Sequence, residues 1–264
     1  MRISLVITTY NWPEALNASI RSVFRQSVHP YEIIIADDGS GAATKDIIEN
    51  LTEAAQKINI KMIHSWQRDL GFRLARSRNK AIAKTSGNYI VLIDGDIVLE
   101  NHFIEDHQLY ARAGFFNQGT RVLLGKSISQ QVIKMQKKNL SIFSPDIKNK
   151  KNCLRLPILG RFFSFRCTKI HGVKTCNFAF WKKDAIRING FNEEFVGWGR
   201  EDSEFTARLL NIGVKRCNVK FSALGYHLYH PMNNRRRLSI NEGILQKTIM
   251  EKRVWCPVGI DQHL

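Results

Sequence analysis

Acidic residues are scarce in this chain. Among 264 residues, 23 are Asp or Glu against 40 Lys or Arg, a net charge of +17. Nucleic acid, an acidic membrane surface and an acidic glycan all suit such an excess, and the charge does not choose among them. The shortage is local, because residues 126–174 hold 12 Lys or Arg and one acid, Asp146. Cysteines are few as well. Cys153, Cys167, Cys176, Cys217 and Cys256 form no CxxC pair and no zinc spacing, and their odd number argues against a complete disulfide framework. A reducing, cytoplasmic compartment is expected. No apolar run approaches the ~20 residues of a membrane span. The strand-like stretch 3–9 is too short for a signal peptide and lacks a cleavage site. Any membrane attachment is therefore expected to be peripheral. With no internal repeat, low-complexity tract or clear linker, the chain reads as one domain.

What is present is organised around Gly87-Asn-Tyr-Ile-Val-Leu-Ile-Asp94-Gly-Asp96. A continuous, β-branched apolar run after a Gly-Asn turn signal reads as a strand buried on both faces. Two carboxylates at its end are costly there unless something neutralises them. In an open α/β sheet that end is where ligands sit. Acids at i and i+2 of an extended segment point the same way, and Gly95 lets a ligand approach the backbone. A hard divalent cation carrying phosphate oxygens fits such a pair; a plain surface turn is the simpler alternative.

The rest of the first half alternates strands with helices. Strands are expected at 3–9, 31–36 and 60–63, ahead of the Asp-Gly-Asp strand. Helices are expected after Pro13, where Leu16, Ile20, Val23 and Phe24 form an apolar stripe, and at 44–57 and 75–84. That alternation is the signature of a parallel, doubly wound sheet. The second half is less regular, with a strand candidate at 175–181 and helix candidates at 201–210 and 240–253. Between the halves, Phe143, Leu156, Ile158, Phe162, Phe163 and Phe165 are interleaved with the basic residues. A solvated loop insertion and a patch for a membrane or an anionic acceptor are both open readings.

Four constellations carry chemistry. The strand ends Thr8-Thr9-Tyr10-Asn11 and Asp37-Asp38-Gly39-Ser40, side by side, offer hydroxyls, an aromatic face and a carboxylate for a nucleobase. In Asp69-Leu-Gly-Phe-Arg-Leu-Ala-Arg-Ser-Arg-Asn79, Arg73, Arg76 and Arg78 can hold phosphate or fix acidic side chains, or simply decorate a surface helix. Gly71 and Asn79 look like placement rather than chemistry. In Gly197-Trp-Gly-Arg-Glu-Asp202, the glycines allow a loop to close and Trp198 offers a flat face to a sugar. Glu201 and Asp202, about 100° apart on a helix, suit two jobs, one holding a hydroxyl and one taking its proton; acids placed for the helix dipole are the alternative. Finally, His227 or His230 can complete a cation site begun by an aspartate, a mixture that suits Mn²⁺ better than Mg²⁺.

In this order the motifs resemble those of family 2 glycosyltransferases. Thr-Thr-Tyr-Asn, Ala-Asp-Asp-Gly-Ser and Asp94-Gly-Asp96 are similar to the N-terminal region of these enzymes. Asn177-Phe-Ala-Phe, Gly190-Phe-Asn-Glu-Glu-Phe and Gly197-Trp-Gly-Arg-Glu-Asp resemble the C-terminal module of metal-dependent galactosyl- and N-acetylgalactosaminyltransferases. Gly71-Phe-Arg-Leu-Ala-Arg-Ser-Arg-Asn is similar to bacterial chondroitin-polymerase modules. The resemblance covers about 1–125 and 171–231.

It implies a GT-A fold: α/β, Rossmann-like, a mostly parallel central sheet with helices on both faces. The expected layout is a nucleotide-sugar half (1–125), a basic insertion (126–170), an acceptor and catalytic half (171–231) and a basic tail (232–264). Thr8, Tyr10 and Asp38 would contact uridine, Arg78 would lie near the diphosphate, and Trp198 would face the sugar. Asp94 and Asp96 would be the DXD pair, with Asp96 the more direct ligand of Mn²⁺ (or Mg²⁺). His227 would be the later ligand, His230 the alternative. Glu201 would touch a sugar, and Asp202 would be the general base of an inverting transfer. Arg200 departs from the pattern, standing where a small residue often precedes the Glu-Asp pair.

The implied reaction moves a hexose or N-acetylhexosamine from a UDP-sugar to a saccharide or glycolipid acceptor, in synthesis of a bacterial surface polysaccharide or lipo-oligosaccharide. The residues suit it. A cation offsets charge on the departing diphosphate while a carboxylate on the opposite face takes the acceptor proton. Peripheral contact with the inner face of an anionic membrane is expected through 126–174 and the tail, and no nucleic acid. A nucleotidyltransferase and a basic nucleic-acid-binding protein are the competing readings.

Overall fold

The computed structural model describes residues 1–135, 144–231 and 234–264. Its first half is a run of alternating elements: β1 (Ile3–Thr9), α1 (Pro13–Val23), β2 (Glu32–Asp37), α2 (Ala42–Gln56), β3 (Lys61–Trp66), α3 (Leu74–Ala83) and β4 (Tyr89–Asp94). Pro13 starts α1 because its fixed φ suits a first turn whose N–H is unpaired anyway. β3 runs three residues beyond the expected strand, since its pairing with β2 continues to Trp66 opposite Asp37.

The second half contributes β5 (Ile97–Leu99), α4 (Phe103–Tyr110), β6 (Phe115–Gln118), β7 (Thr120–Leu124), α5 (Lys126–Met135), β8 (Ile147–Lys148), α6 (Pro157–Phe163), β9 (Phe165–Cys167), β10 (Asn177–Trp181), α7 (Lys182–Arg187), α8 (Glu201–Asn211), β11 (Lys215–Asn218), β12 (Leu224–His227) and α9 (Leu238–Met250). Single 3-10 turns sit at Lys150–Cys153 and Ile260–His263. The basic stretch is therefore not only a loop: it supplies two helices and two strands. Phe143, one of its aromatics, lies outside the described residues.

The large sheet has the order β3-β2-β1-β4-β10-β6-β11-β9, with β10 and β9 antiparallel to their neighbours and the other pairings parallel. Its mostly parallel character agrees with the expected fold. Burial follows the pleat. Leu5, Ile7, Ile33, Ile35, Val91 and Ile93 pack with Leu16, Ile20, Ile48 and Leu51 of α1 and α2. The alternate residues Val6, Ile34, Ile90 and Leu92 pack with Ala75, Ile82, Phe205 and Leu209 of α3 and α8. Burial on both faces explains why these strands read as unbroken apolar runs.

A smaller sheet, β5-β12-β7-β8, was not anticipated. Its core joins Val98, Val122, Leu124 and Leu228 to Ala15, Ala18, Ile128 and Val132 of α1 and α5. This sheet holds β12 beside β5, with His227 opposite Ile97, the residue after Asp96. The register of the large sheet completes the placement: Thr8 lies beside Asp94 on one side and Ala36 on the other, and Thr9 beside Asp37. Three strand ends thus meet at one edge.

Candidate active site

At that edge the two adjacent acids of β2 divide their work. Asp37 is fully buried and builds the turn: Oδ1 accepts the N–H groups of Gly39 (3.2 Å) and Ser40 (2.8 Å), and His64 lies 2.8 Å from Oδ2. Burial opposes its charge, but these hydrogen bonds outweigh it and hold the pKa low. Asp38 is buried as well. Gln67 Nε2 donates to its Oδ1 (2.6 Å) and the Arg73 N–H to its Oδ2 (2.8 Å), while burial pushes its pKa up. Each oxygen retains a lone pair for an incoming ring N–H. Tyr10 stands over the edge half exposed, its hydroxyl donating to Asp69 (2.9 Å). Gly39 sits at φ +101°, and a Cβ there would lie 2.5 Å from the Asp69 Cα. No other residue fits that crossing.

The Asp-Gly-Asp pair departs from the extended geometry expected for it. Asp94 ends β4, but Asp96 lies in the tight turn before β5. Gly95 serves this turn. Its N–H donates to the Thr8 carbonyl at 2.7 Å, and a Cβ would sit 2.7 Å from that oxygen, so the close approach is to β1 rather than to a ligand. The two carboxylates consequently face different partners. Asp94 Oδ1 accepts the Thr8 hydroxyl (3.0 Å) and the Arg78 Nη2 (3.4 Å). Asp96 turns to the histidines, with Oδ2 3.6 Å from His227 Nε2 and 3.3 Å from His230 Nε2.

Asp96 Oδ1 is buried with no hydrogen-bond partner. Burial, then the nearby Asp94 charge, pushes the Asp96 pKa up to about 8. Burial and Arg121 press His227 the other way, down to about 4, so its imidazole is neutral and able to ligate. His230 Nδ1 lies 2.6 Å from the Pro231 carbonyl, while its Nε2 faces Asp96. One oxygen and two imidazole nitrogens, all within 4.8 Å of one another, form a donor set that fits a manganese-type cation. Both histidines lie within reach of Asp96.

Arg78 joins the two halves. It is almost wholly buried in α3, its guanidinium donating to Glu201 Oε1 (3.1 Å) and Asp94 Oδ1 (3.4 Å) and lying over the Phe191 ring. Of the two uses the sequence left open, the fork fixes acidic side chains here. Arg76 approaches Glu193 at 3.9 Å, and Arg73 offers Asp38 only its backbone N–H. Asn79 is placement, as expected: it exchanges hydrogen bonds with the Phe191 backbone (2.7 and 2.8 Å) and donates to Glu193 (2.9 Å).

Glu201 and Asp202 begin α8, which is anchored one turn later. Arg208 and Glu204, both buried, pair at 2.7 Å, Arg208 also reaches the carbonyls of Ile188 and Gly190, and Phe205 stacks on Phe191. Gly197, Gly199 and Arg200 all have positive φ. The glycines satisfy that backbone, and Asn241 pins it through the carbonyls of Val196 and Gly199. Arg200 is held at φ 77° with Glu242 at 2.5 Å. Trp198 is partly exposed, with the Arg235 guanidinium 5.1 Å from its ring centre. Asp202 accepts only from Ser203. Burial, then the Glu201 charge, raises its pKa to about 7, the range of a general base at neutral pH.

Two residues near these acids escaped the sequence reading. Arg121 and Lys174 come from segments without a motif, and only the tertiary structure sets them beside Asp96 and Asp202. Lys174 had been counted with the basic stretch and given no role.

Comparison with known proteins gives this geometry a context. Residues 4–171 match glycosyl transferase family 2, and residues 162–231 match the N-terminal domain of galactosyltransferase. The matches run through the basic stretch that the motifs left outside. The chondroitin synthase of Escherichia coli is 26% identical over 257 residues, covering 87% of this chain and 35% of that protein. The chain thus spans about a third of that relative's length. A mannosyltransferase from Pyrobaculum calidifontis, solved with GDP-Man and Mn²⁺, superposes with a TM-score of 0.61 at 14% identity, covering 95% of this chain and 63% of the other. S. aureus TarS, solved with UDP, gives 0.63 at 14%, covering 100% and 68%. The fold is therefore GT-A. With well over half of its length matched, the chain belongs to glycosyl transferase family 2, and it is a glycosyltransferase related to bacterial polysaccharide synthases.

Proposed function

We propose that this enzyme is a metal-dependent, inverting transferase that moves a hexose or N-acetylhexosamine from a UDP-sugar to a saccharide or glycolipid acceptor, building a bacterial surface polysaccharide or lipo-oligosaccharide. One observation carries the reading. The partly buried Asp96 carboxylate faces two imidazoles with one oxygen unpartnered, at the same end of the sheet as Tyr10 and Asp38. Asp96, His227 and His230 would hold Mn²⁺, or Mg²⁺ less well, with Asp94 beside them. When bound, the cation supplies positive charge against the diphosphate as it departs.

The chain's own residues do the rest. Tyr10 stacks on the base, and Asp38 accepts its ring N–H with the Thr8 hydroxyl nearby. Arg78 keeps Asp94 and Glu201 in place. Glu201 and Trp198 position a sugar. Asp202 takes the proton from the acceptor hydroxyl as that oxygen attacks C1 and the C1–phosphate oxygen bond breaks. With one carboxylate acting as base and no covalent sugar intermediate, the configuration at C1 inverts.

The layout is proposed as one catalytic domain, its halves joined by the Arg78–Glu201 contact. A peripheral position on the inner face of the cytoplasmic membrane is part of the proposal. None of the described helices is long and apolar enough to cross a membrane. α6 exposes Ile158 (76%), Phe162 (79%) and Phe163 (59%) beside Arg161, a composition suited to an anionic interface. All five cysteines are free, as in a reducing compartment.

The test is UDP release from a panel of UDP-sugars with Mn²⁺ or EDTA, comparing wild type with Asp96→Ala and Asp202→Asn. Turnover of one UDP-sugar only with metal, lost in both variants, supports the reading. Undiminished turnover in EDTA, or in Asp96→Ala, sinks the metal site.

A further inference from the structure

A second cavity of about 220 Å³ opens beside the catalytic acids. Its walls come from the β6–β7 turn, the end of β11, the 3-10 turn Lys150–Cys153 and the segment leading into β10. Four of its lining residues are cations (Arg121, Lys174, Arg216 and Lys220) and none is an acid. Thr120, Asn149 and Asn152 add neutral polar groups to the wall.

Among the described residues, none of the four cations makes an ion pair with a carboxylate. Arg216 is buried and spends its Nη atoms on the carbonyls of Lys169 (3.2 Å), His171 (2.8 Å) and Gly172 (3.5 Å), while its Nε has no partner. The Thr120 hydroxyl is likewise buried and unpartnered. Arg121 reaches only the Cys176 sulfur (3.7 Å), and Lys220 lies over the Phe165 ring. Residues 136–143 and 232–233 add no Asp or Glu. Burial lowers the pKa of Lys174 and of Arg216. One wall adjoins the end of β4, because Cys176, which lines the cavity, precedes Asn177, the partner of Ile93 beside Asp94, and Arg121 pairs in register with Gly225, two residues before His227.

We infer that this cavity binds a negatively charged sugar unit, a hexuronate or a sugar bearing phosphate or sulfate, and that in the acceptor it lies next to the hydroxyl presented to Asp202. The inference rests on the sugar-transfer reading of the site. Guanidinium forks hold carboxylate and phosphate in bidentate geometry. Unpartnered Thr120 and neighbouring amides suit sugar hydroxyls. The volume matches one ring rather than a chain. An acidic unit here would also offset four positive charges gathered beside the reaction.

The experiment measures binding of methyl hexuronides, hexose 6-phosphates and neutral methyl hexosides by calorimetry or saturation-transfer NMR, with and without UDP and Mn²⁺. Acidic sugars are expected to bind roughly tenfold tighter than neutral ones. That preference should vanish in Lys220→Gln and Lys174→Gln, which spare the backbone contacts of Arg216, and in Arg216→Gln. UDP affinity should be the same in Lys220→Gln as in wild type. Equal affinity for acidic and neutral sugars overturns the inference even if UDP binds. Failure to bind UDP while the acidic preference persists overturns the nucleotide-sugar reading instead. Competition between hexuronide and UDP would reassign the cavity to the donor diphosphate, and a preference for UDP-hexuronate over UDP-hexose, lost in the same variants, to the donor sugar; both overturn the acceptor assignment.

Discussion

In its proposed role as base, Asp202 depends on its surroundings. A base works only when ionised, and burial with the Glu201 charge sets that ionisation at about 7. Accordingly, kcat/KM should rise with pH up to about 7 and level off above it, falling tenfold per unit on the acid side. Glu201→Gln removes the second cause, so the acid limb should move to lower pH. Asp202→Asn should reduce transfer by roughly 10²–10⁴-fold while leaving UDP binding intact. The same shift has a stability sign. The folded pKa lies above the unfolded 3.8, so stability is lost as pH rises from about that value through about 7. Thermal melts at pH 8 should therefore show Asp202→Asn more stable than wild type, and the two should converge toward pH 4. At the cation site, His227→Ala and His230→Ala should each weaken Mn²⁺ binding by roughly tenfold or more in a direct titration, since both nitrogens face Asp96.

At the scale of elements, α3 is the connector. Arg78 and Asn79 leave the helix side by side, one toward the acids and one toward the segment before α8. Asn79→Ala deletes three hydrogen bonds, two of them buried, and strands the Phe191 N–H and carbonyl. It should cost about 2–3 kcal/mol in urea unfolding. It should also lower kcat more than it raises the UDP-sugar KM, because α8 carries Asp202. Such contacts were invisible beforehand. The adjacency of Arg78 to Asn79 was on the page, but their partners lie more than 100 residues away or across a sheet. The elements themselves were more legible. β1, β2 and β4 are buried on both faces and announce themselves as apolar runs, and Pro13 marks the start of α1. The small sheet was not legible, since β5, β7, β8 and β12 have two to five residues each and draw their stability from pairing across the chain.

For the whole molecule, the +17 charge finds two structural outlets: the cavity beside the acids and the exposed aromatic face of α6. Co-sedimentation with vesicles should show binding to anionic lipid that weakens with salt, and little binding to zwitterionic lipid. Phe162→Ser with Phe163→Ser should reduce that binding several-fold without changing UDP affinity, because both side chains are mostly exposed. Binding that is indifferent to lipid charge and to these substitutions would remove the membrane from the proposal.

Sequence alone determined the sheet of strands and helices and the family, and it singled out the acids and histidines of the candidate site. It could do so because hydrophobic period and short motifs are local properties, written within a few residues. It did not determine what those residues face. That Asp94 turns to Arg78 while Asp96 turns to two histidines follows from the Gly95 turn against Thr8 and from the β5–β12 pairing. That four cations line one cavity with no ion pair among the described residues follows from chain crossings between distant segments. Charge and ligation depend on distance in space, and only the tertiary structure sets it.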